Sequence, residues 1–251
     1  MKIKNSFSAL VLSLVTIWLP AHARDYAIEV ILFAHVDGLN KTQEQFPVDQ
    51  RIISSNDGLV IDNEFPSSHS MSNESDQTSH LWRAVPESEF ILTDAVAQLE
   101  RSSKYRVLQH LAWIQPMVDK NNTHAIRING GRELSSEHPE RLPAQAVQNP
   151  RLAALFGNLF KPVSNSELYE LEGTISVAIT RYIHVYADLV FRAKDYNVVT
   201  TEQGLLVADQ LQDFKINLYR KMKSRELHYL DHPLIGMLVE ATPIEQQEDS
   251  Q

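Results

Sequence analysis

The 251-residue chain is 43% hydrophobic and 22% charged, with 8 glycines, 11 prolines and no cysteine. That composition is globular. The missing cysteines exclude disulfide scaffolds, thiolate metal sites, iron–sulfur clusters, thiol nucleophiles and cysteine-anchored lipoproteins together. A formal charge of −9 argues against bulk attraction to nucleic acid or anionic lipid and leaves only local basic patches.

Lys2 and Lys4 precede the apolar run Phe7–Leu19, and Pro20 leads into Ala21-His22-Ala23, an A-x-A cleavage pattern. The run is too short to span a bilayer, which takes about 20 residues. A cleavable signal peptide over residues 1–23 is expected, with export to the periplasm and no direct membrane span. Cleavage removes two lysines and takes the net charge from −9 to −11.

Tyr26–His35 (YAIEVILFAH) is apolar on both alternating faces, which predicts a strand internal to a sheet. Asn40–His80 has no periodicity, and the serine-rich stretch from Pro66 to His80 is read as a mobile linker. Thr93 is the expected N-cap of a helix in which Leu92, Val96 and Leu99 recur at helical spacing. Lys104–Gln115 alternates as a strand with Tyr105, Val107, Leu111 and Trp113 on one face, closed by Pro116. A short strand is expected at His124–Asn129, stopped by Gly130-Gly131. Residues 132–150 form a second irregular connection, and Arg151–Phe160 carries a short amphipathic pattern.

From Ile175 to Phe191 eight of the nine odd positions are apolar, which predicts one long bent strand or two joined ones. Strands follow at Asp213–Met222 and Leu234–Ala241, and an acidic tail follows Pro243. With no room for crossover helices, these last strands predict an antiparallel meander. The expected class is α+β: mainly antiparallel sheet with one or two packing helices. After the signal peptide, residues 24–251 form one region with flexible insertions near 40–80 and 130–150.

No G-x-S-x-G, H-E-x-x-H, S-x-x-K or phosphate-cradling glycine loop is present, so no catalytic residue, cofactor or resident metal is assigned. Three constellations remain as ligand-binding candidates. In the segment Glu226–Pro233, His228, Asp231 and His232 offer nitrogen and oxygen donors, either for a metal-dependent hydrolase or to satisfy backbone at a turn, and Glu226 beside them is a further ligand-binding candidate. Arg220, Lys221, Lys223 and Arg225 form a basic stripe, for acidic groups on a ligand or as protection of a sheet edge. Tyr182, His184 and Tyr186 share one strand face, which suits sugar rings or a protein interface if open, and core packing if it lies beneath the helix. Arg181 interrupts the apolar face: an ion pair with Glu226 or Asp231 is expected for it, the alternative being that it is a ligand-binding residue that takes an anionic group.

The run Leu218–Val239 (LYRKMKSRELHYLDHPLIGMLV) resembles the C-terminal signature of the CsiV family of peptidoglycan-binding proteins. Glu29–Phe33, Leu111–Pro116, and Leu171–Thr174 leading into Arg181–Val185 are similar to the family in the same order. The resemblance implies an exported envelope protein of Gram-negative bacteria, associated with cell shape. It also implies peptidoglycan as ligand and, as partner, an outer-membrane lipoprotein activator of a bifunctional penicillin-binding protein. It carries no ligand residues onto this chain. A scaffold that touches only protein partners is the alternative from another class.

Overall fold

The computed structural model describes residues 24–38, 58–61, 81–138, 141, 167–201 and 204–244. Strand β1 (Asp25–His35) is buried without a break from Ile28 to Ala34, so it needs cover on both faces and partners on both edges. The edges are taken by β3 (Tyr105–Pro116) and β9 (Ile235–Pro243), both antiparallel to it. With β2 (Arg83–Ala84) and β8 (His228–Asp231) these form a five-stranded sheet in the order β2-β3-β1-β9-β8. The internal position expected for this run is the one observed.

The second sheet takes β4 (Ala125–Glu133), β5 (Tyr169–Ile179), β6 (Ile183–Thr201) and β7 (Gly204–Met222) in chain order, each antiparallel to the next. The long alternating pattern is therefore two strands. Ile179 pairs directly with Ile183 across a turn of Thr180, Arg181 and Tyr182. Paired residues point to the same face, and the turn holds an odd number of residues. The alternation thus continues through it unbroken, and Arg181 falls at the tip.

The inner faces of the two sheets form one core. Val30 and Leu32 of β1 and Trp113 of β3 join Ile126 of β4, Ile175 and Val177 of β5 and Ile216 of β7. Trp113 Nε1 donates to Gln115 Oε1 at 2.8 Å, and the Gln115 amide donates to the Val177 carbonyl at 2.7 Å. That chain satisfies two buried polar groups and ties the sheets together.

Helix α1 (Thr93–Glu100) lies on the opposite face of the first sheet. Leu92, Val96 and Leu99 pack there against Ile31 and Phe33. The expected Thr93 cap is corrected: Leu92 holds the N-cap position, and no side chain of its own caps the helix. Instead Glu29, reaching up from β1, accepts the N–H groups of Ile91 and Leu92, both at 2.8 Å, and a third hydrogen bond from His110 Nε2 at 2.8 Å. Burial alone would raise the Glu29 pKa. The His110 hydrogen bond, the two backbone donors and the attraction of His110 outweigh it and hold the carboxyl below the usual glutamate value.

Three further expectations are corrected. Tyr105 and Val107 face the helix, whereas Leu111 and Trp113 face the other sheet. The reason is a bulge: Leu32 pairs with Gln109 and Phe33 with Val107, so Leu108 is an extra residue that reverses the phase. Gly130-Gly131 does not stop β4; the strand continues to Glu133 through another register shift, with Gly131 at φ 74°. The meander holds for β4 to β7, but the last strand leaves it. After Met222 the chain turns at Arg225 (φ 61°), whose N–H donates to the Ala241 carbonyl at 2.9 Å, and β8 and β9 then join the first sheet.

Within the 40–80 stretch, Leu59 is buried and bridges Ile126 in parallel, with Leu59 N to Ala125 O and Arg127 N to Leu59 O both at 2.8 Å. The predicted leader at 1–23, the 66–80 linker, the 151–160 pattern and the tail from 245 lie outside the described residues, as do most of the 40–80 and 130–150 insertions. Among the described residues no helix is long and apolar enough to cross a membrane.

Candidate functional site

With α1 packed on the first sheet, the outer face of the second sheet is left to the side chains that alternate with its core residues. Register aligns them in rows across β5, β6 and β7: Thr174–Asp188–Asn217, Ser176–Tyr186–Tyr219 and Ala178–His184–Lys221. The face carrying Tyr182, His184 and Tyr186 therefore does not pack beneath the helix. It is open, and Tyr219, on the neighbouring strand, is 56% exposed.

The rings form a connected surface. Tyr186 and Tyr219 lie 5.1 Å apart between centroids. His184 stacks on Tyr219 at 6.0 Å and 19°, with His184 Nδ1 2.9 Å from the Tyr219 hydroxyl. Lys221 Nζ sits 3.8 Å above the Tyr182 ring and Lys120 Nζ 4.5 Å above the Tyr186 ring. Each ammonium is held against the negative face of a ring, which fixes two cations on the rim of an aromatic platform. Beside the rings lies a depression of about 290 Å³ lined by Thr174, Ser176, Tyr186, Asp188, Asn217 and Tyr219.

The other end of this sheet is occupied by buried charge. Arg192 pairs with Glu172 at 3.0 Å and lies 3.4 Å from Asp213, which also pairs with Arg141. Arg192 also donates to the Tyr169 carbonyl at 2.7 Å. Glu170 is held by Arg106 of the first sheet and accepts the Arg132 N–H at 3.1 Å. These groups neutralise one another and tie the start of the 133–168 connection to the sheet, consistent with a structural role.

The remaining candidates separate. Arg181 is exposed at the turn, its guanidinium 5.8 Å from the Tyr182 ring centroid, so the expected ion pair with Glu226 or Asp231 is replaced by a ring contact. Its position in the sequence mimics an interruption of the apolar face only because the turn is not visible there. The basic stripe is not a stripe. Arg220 and Lys221 lie on β7, the edge strand of the second sheet, whereas Lys223 follows the strand and Arg225 sits in the crossing turn. Lys223 lies 4.0 Å from Glu226.

In the 226–233 segment, β8 turns His228 and Asp231 to opposite faces, being three residues apart on a strand. His228 Nε2 lies 3.4 Å from Glu226. Asp231 accepts the Tyr229 hydroxyl and lies 3.8 Å from His35, and burial with this hydrogen bond pushes the Tyr229 pKa up. His232 Nδ1 accepts the Leu234 N–H at 3.2 Å within the β8–β9 turn. Among the described residues no three acidic or histidine side chains converge to hold a metal ion, so the hydrolase reading loses its ligand set.

Tyr219, Lys120 and the polar residues of the depression were not singled out by sequence. Tyr219 had a signal: it alternates with the core-facing Phe214, Ile216 and Leu218, and so shares the outer face with Lys221. Lys120 had none, because only the fold brings the turn after Pro116 to Tyr186.

Four rings and two cations thus share one open sheet face. The chain belongs to the CsiV family, described as peptidoglycan-binding proteins, whose family model matches residues 6–244. No curated protein and no solved structure matches it.

Proposed function

We propose that this chain is a non-catalytic periplasmic protein that binds peptidoglycan through the outer face of its second sheet and thereby supports cell-wall synthesis and cell shape. It acts with an outer-membrane lipoprotein activator of a bifunctional penicillin-binding protein. The observation that carries the reading is the open platform of Tyr182, His184, Tyr186 and Tyr219 with Lys120 and Lys221 on its rim, in a family of peptidoglycan-binding proteins. The leader read at residues 1–23 supports export.

Peptidoglycan offers this face what it can use. Pyranose rings present C–H faces to aromatic rings, and the acidic groups of the polymer find the two lysines. With a net negative chain, attraction is local, and contact depends on shape. The test is co-sedimentation, in which the purified protein is expected to pellet with isolated sacculi in the absence of any partner. Protein that stays in the supernatant, yet binds the lipoprotein activator, would instead be a scaffold.

A further inference from the structure

Peptidoglycan has two chemically distinct parts, neutral saccharide backbone and charged stem peptide, and the depression on the second sheet discriminates between them. We infer that the depression seats the glycan strand rather than the stem peptide. The inference rests on the peptidoglycan reading above and sharpens it.

The wall of the depression is aromatic, from Tyr186 and Tyr219, and its polar groups are the Thr174 and Ser176 hydroxyls, the Asn217 amide and the Asp188 carboxylate. Hydroxyls and an amide both donate and accept, as sugar hydroxyls and N-acetyl groups do. A carboxylate only accepts, so Asp188 takes sugar O–H or amide N–H donors and repels the carboxylates of a stem peptide. Lys215, 3.7 Å from Asp188, offsets part of that repulsion, and both side chains are more than half exposed, so the hydroxyls, the amide and the rings carry the selectivity rather than the charge.

The two ring-held cations lie at the rim. Lys221 belongs to the row beyond the depression and is held over Tyr182, and Lys120 is held over Tyr186 from the turn after β3. Acidic groups that branch from the strand are therefore met at the rim while the rings lie in the groove. A volume of about 290 Å³ is at the small end of ligand sites and suits a short stretch of saccharide. The rows that line it run across β5, β6 and β7, so the glycan crosses the strands.

Calorimetric titration of the purified protein with chitotetraose, a neutral N-acetylglucosamine tetramer, and separately with free stem tripeptide tests this, with sacculus pelleting run alongside. The expected result is that chitotetraose binds, the tripeptide does not at the same concentration, and Tyr219→Ala weakens chitotetraose binding roughly two- to tenfold. Asn217→Ala, also exposed, gives the same direction without touching the rings. Sacculus pelleting with tripeptide binding and no chitotetraose binding would overturn the glycan assignment and leave the peptidoglycan reading standing. Chitotetraose binding unchanged by both variants would overturn the assignment to this groove. Failure to pellet with sacculi, together with failure to bind either probe, would overturn both.

Discussion

Tyr219 joins the rings of the open face: it stacks on His184, faces Tyr186 and lies among the most exposed large side chains of the described residues. Truncating it removes ring area from the surface and nothing from the core, so Tyr219→Ala leaves thermal unfolding unchanged while reducing the fraction pelleted with sacculi. At roughly 0.5–1.5 kcal/mol per aromatic contact, the Tyr186→Ala, Tyr219→Ala double variant loses about tenfold or more in affinity. Glu29 shows the opposite partition, all stability and no ligand. Its folded pKa lies below the unfolded one, so its contribution is complete above the ordinary glutamate pKa and is lost as pH falls through the lower, folded value. Glu29→Gln costs about 1–3 kcal/mol in urea unfolding at neutral pH, and removes part of the fall in stability on acidification. At this scale the sequence was informative where a side chain's role depends on its own strand. The alternation placed Tyr182, His184 and Tyr186 on one face, but whether that face is open depends on where a helix from residues 93–100 lands. Arg181 was misread for a related reason, since a three-residue turn that preserves phase leaves no mark in the pattern.

Two glycines and one extra residue set the shape of the strands. Gly173 sits at φ 141°, and a Cβ there would lie 2.2 Å from the Asp188 carbonyl, so the β5–β6 pairing beneath the depression depends on glycine. Gly173→Ala destabilises by about 3 kcal/mol, through strain and a backbone clash, measured by chemical denaturation. Gly131, at φ 74° and against the Glu170 side chain, lets β4 bulge where the sequence suggested a stop. Leu108 does the same to β3. Element identities were readable because strands of this length repeat their period several times. Phase and endpoint were not, since a bulge shifts every later residue to the other face without altering composition. The crossing from β7 to β8 was hidden for another reason: it is fixed by a left-handed Arg225 and a hydrogen bond to Ala241, far along the chain.

The whole molecule is asymmetric in its cover. The central strand of the first sheet, β1, is buried on both faces, by the helix and by the second sheet. The second is buried on its inner face and, on its outer face, sealed by ion pairs at one end and open at the other. That asymmetry, more than any motif, is what makes a candidate site. If the open face binds as proposed, by contact area with two cations as accessories, pelleting with sacculi is expected to decline only modestly from low to moderate salt, where the Debye length is about 8 Å. The basic residues at 220–225 are divided between an edge strand and a crossing turn. The most direct test compares three proteins in sacculus co-sedimentation: the wild type, Tyr186→Ala with Tyr219→Ala, and Lys223→Glu with Arg225→Glu. The wild type and the charge-reversed protein pellet alike, while the tyrosine variant, folded by circular dichroism, stays in the supernatant. A tyrosine variant that pellets as the wild type does, with binding lost in the charge-reversed protein, would contradict the assignment to the open face.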